Sequence, residues 1–431
     1  MKIPAVLNKN AEVLEKYYEE NYKPLAPLAK QCFLNTIETT VQQLNDGSYF
    51  VITGDIPAMW LRDSAAQVRP YVRFAKEDTK LQEIIEGVIE MQAQLVCIDS
   101  YANAFRESAD GKAYKYKDDT KFNDHVWERK YEIDSLCAPL YLGHYYWKTT
   151  GKDVIFTGTY RRMIENIIQV FTTEQNHADS EYYFRRSDCV KSDTLPNRGL
   201  GHPVNRTGMT WSGFRPSDDC CKFGYLIPSN MMAVKALTFA SEICQEYYKD
   251  EKLAAECVTL AGEIQDGILD YGIVNHPKYG NIYAYETDGF GNYNLMDDAN
   301  SPSLLAMPYL GCCEKEDPLY QNTRKFVLSP DNPYYFEGSF GKGVGSPHTP
   351  WGYVWHIGVV MQALTSVDRD EIMNCLDILA KTHAGTNYMH ESFDPNNPAE
   401  FTRSWFAWAN TLFAELLVNL MEEDFFQEKG K

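Results

Sequence analysis

The segment "GDIPAMWLRDSAAQVRPY" (residues 54–71) sets Trp60, Arg62 and Asp63 within four positions, just ahead of an apolar run. An aromatic face, a guanidinium and a carboxylate together suit a sugar. The C–H face of the ring stacks, and vicinal hydroxyls pair with planar, charged hydrogen-bonding groups. Similar company recurs along the chain: Asp124 and Glu128 flank Trp127, Asp218 and Asp219 follow Trp211, His348 precedes Trp351 and Trp355, and Arg403 precedes Trp405 and Trp408. Core packing accounts for each tryptophan singly, and helix capping for each Asp or Ser singly. Neither explains why seven of the eight tryptophans travel with charged or imidazole groups. A site that hydrogen-bonds every hydroxyl rejects the wrong epimer, because a misplaced hydroxyl leaves buried groups unpaired.

Cleavage of a glycosidic bond needs two carboxyl groups flanking it, one protonated and one ionised. The loops carry more acids than that, and two stand apart. Asp218 lies in "GFRPSDD", where adjacent Asp219 is expected to raise its pKa by like-charge repulsion, suiting a general acid. Glu391 lies in "NYMHESFDPNNP", a loop outside any helix-start pattern, so capping does not account for it. Asp219 has two readings, a tuner of Asp218 or a cap or ligand contact. Other chemistries lack their signatures: there is no GxxxxGK[ST], no Rossmann GxGxxG, no HExxH and no EF-hand loop. No cofactor and no metal are expected.

The elements that must hold these residues repeat. Polar and aromatic residues come first, then a capping-type residue, then a dense apolar helix, as in "WLRDSAAQVRPYVRF", "YEIDSLCAPLYLGHYY" and "TRSWFAWANTLFAELLV". With Ser64, Ser135, Asp219, Ser301, Trp351 and Ser404 as markers, the intervals are 71, 84, 82, 50 and 53 residues, each long enough for two helices and their loops. Six such helical hairpins close into an all-α (α/α)6 toroid, read here as a single domain over residues 1–431. Its inner helices are expected to be apolar nearly all round, with the loops leading into them gathered at one end. Asp63-Ser64, Asp134-Ser135 and Asn300-Ser301 are candidate caps for them.

Composition narrows the partners. A net charge of −19 argues against nucleic acid and anionic membrane surfaces. No window approaches the ~18 apolar residues of a membrane span, and the first residues hold no apolar stretch of signal-peptide length. The eleven cysteines, an odd number without a CxxC, read as reduced thiols, hence a cytoplasmic protein.

The segments "GDIPAMWLRDSAAQVRPY", "YEIDS", "GFRPSDD", "MDDANSPSLLAMPYLG", "GSPHTPWGYVWHIG", "HESFDP" and "TRSWFAWAN" resemble the motifs of glycoside hydrolase family 125, the bacterial exo-α-1,6-mannosidases. The resemblance runs from about residue 30 to near residue 420. It implies an (α/α)6 barrel, inversion at the anomeric carbon, and removal of terminal α-1,6-linked mannose from oligosaccharides of the N-glycan type, without a catalytic metal. It also implies Asp218 as general acid and Glu391 as general base, separated by roughly 6.5–9.5 Å to admit a water. Trp60, Arg62, Asp63, Asp124, Glu128, Asp219, His348, Trp355 and Arg403 are the expected sugar contacts. In this reading Arg62 and Asp63 grip hydroxyls and Ser64 caps the helix.

Rival readings remain at this stage. One is a toroid glycosidase of other specificity, such as a glucoamylase-like enzyme. A second is a sugar epimerase using His348 or His356 with His390 as acid and base. A carbohydrate-binding toroid without catalysis and a zinc-dependent transferase complete the set.

Overall fold

The computed structural model describes residues 2–109, 117–120 and 123–427. Helices dominate it: α1 (Ala5–Asn21), α2 (Ala26–Thr39), α3 (Leu61–Val68), α4 (Thr79–Ile98), α5 (Ile133–Thr150), α6 (Gly158–Glu174), a single-turn α7 (Pro196–Gly199), α8 (Ile227–Ile243), α9 (Glu251–Tyr271), α10 (Pro318–Val327), α11 (His356–Leu364), α12 (Arg369–Lys381) and α13 (Ala407–Glu422). Inner and outer layers are told apart by burial. In α13, 13 of 16 residues are buried, whereas α9 buries only 8 of 21, along one stripe. The inner ring runs α3, α5, α8, a turn-rich segment at 303–312, α11 and α13, and α13 packs back on α3 to close it. The chain's first hairpin, α1 and α2, covers α13 from outside.

The fourth inner segment winds in turns rather than a regular helix. Pro302 and Pro308 remove two backbone donors there. Asp297 compensates by accepting from the N–H groups of Leu304 (2.8 Å) and Leu305 (3.0 Å).

The two layers also start their helices differently. Five outer helices carry side-chain caps, Asp78 before α4, Thr157 before α6, Asp250 before α9, Asp317 before α10 and Asp368 before α12, while α1 and α2 do not. The regular inner helices have none. The expected caps at Ser64 and Ser135 are therefore corrected. Ser64 sits inside α3, donating to the Leu61 carbonyl and accepting from Gln92, and Ser135 donates to Glu132. Loop backbone takes the capping role instead. The first N–H groups of α3, α8 and α13 donate to the carbonyls of Asn103, Tyr285 and Thr53. First-turn carboxylates of α3 and α5 are thereby left for other work.

Short antiparallel strands set up these starts. Met59–Trp60 pairs with Ala104–Phe105, which pairs with Val126–Glu128. Val354–Trp355 pairs with Ser392–Asp394, which pairs with Asn397–Thr402. In the second sheet Ser392 faces Thr402 in register, so Glu391 and Arg403 emerge side by side. Gly54 ties the first strand region to the last: its φ is +132°, and a Cβ there would sit 2.3 Å from the Trp405 carbonyl oxygen. Gly54→Ala is expected to lower stability by roughly 2–4 kcal/mol, measured as a lower urea midpoint, since both backbone conformation and contact forbid the methyl.

Candidate active site

A cavity of about 300 Å³ opens at the end of the ring where the inner helices begin. Among its walls are Trp60, Arg62, Asp63, Asp218, His348, Trp355, Glu391 and Arg403, together with Thr53, Ile56, Ser217, Asn300 and Phe406. Eight of the eleven residues named from sequence thus converge. Below, Arg62 separates this cavity from a small axial hollow and lies over the Trp408 ring.

Asp218 is presented by a tight turn. Arg215 N–H donates to the Asp219 carbonyl and Asp218 N–H donates to the Arg215 carbonyl, with Asp218 at φ +68°. A non-glycine residue held in that region stores strain of order 1–3 kcal/mol, so its neighbours must over-determine it. They do. Arg215 is locked to Glu286 at 2.6 Å, Ser217 donates to Asp298 at 2.7 Å, and Asn300 donates to the Pro216 carbonyl at 2.9 Å. Lys130 Nζ donates to the Asp218 carbonyl at 2.8 Å. The Asp218 carboxylate accepts from Trp60 Nε1 (3.3 Å) and Asn103 Nδ2 (3.0 Å).

Behind Asp218 lies a second carboxyl, Glu132, joined to it by Asn103, whose Nδ2 donates to Glu132 Oε1 at 3.2 Å as well as to Asp218. Burial alone would raise the pKa of Asp218, but Lys130, Arg62, the hydrogen bond from Glu132 and His348 outweigh it and hold Asp218 at about 2. Glu132 moves the other way, pushed well above the carboxylate range by burial and by the charges of Asp218 and Asp134, against the pull of Arg62. The expectation that Asp219 raises the pKa of Asp218 is corrected. The carboxyl that interacts with Asp218 is Glu132, and Asp219 points elsewhere.

Asp219 is buried outside the cavity wall, with Oδ1 3.2 Å from His348 Nδ1. Burial would lower the His348 pKa; the hydrogen bond to Asp219 and the negative charges of Asp219, Glu391 and Asp218 overcome this and raise it to about 9. His348 is therefore a cation facing both acids. Glu391 lies 3.7 Å from Arg403 Nη1, while Arg403 is itself gripped by Asp55 through Nε at 2.9 Å. Trp355 is fixed by its Nε1–H bond to Thr349 at 2.8 Å.

Arg62 does not have the role expected of it. Its Nη1 donates to Glu132 (2.7 Å) and Asp134 (3.0 Å), and its Nη2 lies 3.1 Å from Asp63 Oδ2. It is engaged by three buried acidic side chains, Asp63, Glu132 and Asp134, rather than left as a free hand for hydroxyls. Asp63 also lines the cavity, and its Oδ2, though 3.1 Å from Arg62 Nη2, makes no hydrogen bond among the described residues. Its pKa is raised by burial, against the charge of Arg62.

Two expected sugar contacts fall elsewhere. Asp124 is exposed in the turn before the strand Val126–Glu128 and does not line the cavity. Glu128 is buried behind it, with Oε1 held by Lys130 (3.3 Å) and Arg186 (2.9 Å). The histidines of the epimerase reading are also misplaced. His356 and His390 are fully buried in the core, and neither lines the cavity. His356 accepts the His390 N–H at 3.0 Å, and burial brings its pKa down to about 3. Only His348 of the three reaches the cavity.

Glu132, Lys130 and Asn103 were missed from sequence. A signal was present for the first two. In "ERKYEIDS" Glu128, Lys130 and Glu132 alternate through the extended stretch ahead of α5, which places these three on one side, and Asp134 follows in the first turn of the helix. Asn103 carries no such mark.

Among the described residues, no three His, Cys, Asp or Glu side chains converge in a metal-binding arrangement, and no helix is long and apolar enough to cross a membrane.

Residues 23–418 match the family described as metal-independent alpha-mannosidase (GH125). The chain is similar to a Streptococcus pneumoniae metal-independent α-mannosidase solved in a non-productive substrate complex with α-1,6-mannobiose: 42% identity, TM-score 0.95, with 98% of this chain and 100% of that one covered. It is 41% identical to the meiotically up-regulated gene 157 protein of Schizosaccharomyces pombe, over 95% of this chain and 84% of the relative. A glucoamylase from Saccharomycopsis fibuligera shares the fold (12% identity, TM-score 0.57, 95% and 96% covered).

Two outcomes follow from this geometry. Arg62→Ala should abolish activity and also destabilise the protein by about 3–5 kcal/mol, because three buried acidic side chains lose their common cationic partner; a variant of unchanged denaturation midpoint would contradict it. Asp219→Asn should bring the His348 pKa, followed by imidazole NMR, from about 9 down to its ordinary value or below.

Proposed function

Because this chain belongs to the metal-independent α-mannosidase family GH125, we propose that it is an inverting exo-α-1,6-mannosidase acting on terminal mannose of N-glycan-type oligosaccharides. It is a glycoside hydrolase by that membership. The observation that carries the finer reading is the meeting of Asp218 and Glu391, from distant loops, in the walls of one cavity. The α-1,6-mannobiose bound by the Streptococcus pneumoniae relative supports the linkage.

The mechanism is a single displacement. Asp63, in the cavity wall, accepts a hydroxyl of the terminal mannose, and Trp60 and Trp355 wall the ring. Asp218 delivers a proton to the glycosidic oxygen as the bond stretches toward an oxocarbenium-like state. Glu391, steadied by Arg403, takes a proton from water attacking the opposite face. His348 supplies positive charge between the two acids. Free thiols at all eleven cysteines suit a reducing compartment such as the cytoplasm, and the acidic surface suits a neutral ligand.

The test is mannose release from α-1,2-, α-1,3- and α-1,6-mannobiose by wild type, Asp218→Asn and Glu391→Gln. Wild type should prefer the α-1,6 linkage, and each variant should lose about 100-fold or more in kcat. Equal turnover of all three linkages contradicts the specificity, and an active Glu391→Gln contradicts the mechanism. A toroid that only binds sugar would tolerate both substitutions.

A further inference from the structure

Asp218 must carry a proton to act as an acid, yet its surroundings favour its carboxylate. Lys130 and Arg62 lie close to it, His348 faces it, and Trp60 and Asn103 both donate to it. The other acids around it are Asp63, Asp134, Glu128 and Glu132. Of these, Glu132 is the one joined to its carboxyl through a shared donor: Asn103 Nδ2 donates both to Glu132 Oε1 (3.2 Å) and to Asp218 Oδ1 (3.0 Å). Two buried carboxyls drawn to one donor repel each other when both are ionised, so such a pair favours holding one proton.

The surroundings of Glu132 fix which oxygen is free for that proton. Its Oε2 accepts from Arg62 (2.7 Å) and Ser135 (2.9 Å), leaving Oε1 on the side of Asn103 and Asp218. Its side chain has no solvent exposure and does not line the cavity, whereas Asp218 does. Any effect of Glu132 on a sugar must pass through Asp218.

We propose that Glu132 and Asp218 share a single proton, stored on Glu132 between turnovers and passed to Asp218 when a sugar fills the cavity; the proposal rests on Asp218 being the general acid. A bound sugar removes water from Asp218, which disfavours its carboxylate. Glu132 meanwhile keeps Arg62 beside it and can ionise. The O–H bond of Glu132 breaks as one forms on Asp218. That proton then goes to the glycosidic oxygen, which leaves with the electron pair of the broken C1–O bond. Water gives hydroxide to C1 and its proton to Glu391. The pair ends one proton short and Glu391 one proton in excess, and exchange with solvent water restores both. Glu132 is thus a positioning residue for a proton and never touches substrate.

The pair titrates as a unit. For wild type on α-1,6-mannobiose, the alkaline limb of the kcat–pH profile should therefore lie well above an ordinary carboxylate's, about 3.9–4.3. With α-mannosyl fluoride, whose leaving group needs no proton, that limb should be absent. Glu132→Gln keeps the size and the contact to Arg62 but cannot hand over a proton. It should lower kcat on mannobiose about 100-fold more than on the fluoride, and shift the alkaline limb for mannobiose to lower pH. Glu132→Asp should recover part of the loss. The inference is overturned by a Glu132→Gln variant that keeps wild-type kcat and limb on mannobiose, or by equal losses on both substrates. It is overturned equally by a wild-type limb at the ordinary carboxylate value, a measurement that needs no variant. Asp218→Asn separates the layers: if it shows no preferential loss on mannobiose, the assignment of the acid itself fails, whatever Glu132 does.

Discussion

Two cations in a water-poor interior, Arg62 and Lys130, hold the site together. Around them crowd Asp63, Glu128, Glu132, Asp134 and Asp218, with Asp193 2.5 Å from Lys130. Removing so many charges from water is costly, and well-packed apolar residues of similar size are often as stable or more so. Such a cluster is better understood as serving chemistry than stability. It fixes Asp218 against its own backbone strain, and it places a protonatable carboxyl behind an ionised one.

The fold supplies this cluster by a division of labour between its layers. Outer helices α4, α6, α9, α10 and α12 begin themselves locally, with an Asp or Thr satisfying the first N–H groups. Inner helices begin directly from short strands, and loop carbonyls satisfy several of their first donors. Acids in their first turns, Asp63 and Asp134, are then available to Arg62 and the cavity. The same strands set side-chain neighbours: register between Ser392 and Thr402 puts Glu391 next to Arg403.

The toroid and most of the cavity wall were legible in the sequence, because each motif carries its own aromatic and charged residues on a contiguous stretch. Trp60, Asp63, Asp218, His348, Trp355, Glu391 and Arg403 all reach the cavity as that pattern indicates. What was not legible was which charge faces which. Asp219 is adjacent to Asp218 in sequence but turns to His348, because the strained turn at Asp218 sends successive side chains apart. Glu132 is 86 positions away and in contact. Glu128 was indistinguishable from a ligand contact until Arg186, well downstream, appeared beside it. Pairings between loops of different hairpins leave no periodic trace in a single chain.

The central claim is that Asp218 and Glu391 act from opposite faces of one sugar, and stereochemistry reports on that most directly. Wild-type protein should be mixed with α-1,6-mannobiose and the anomeric proton signals followed by NMR from the first minutes. The account predicts that β-mannose appears first and the α anomer only later, by mutarotation. Initial release of α-mannose would contradict it, since retention requires a nucleophile where this account places a water.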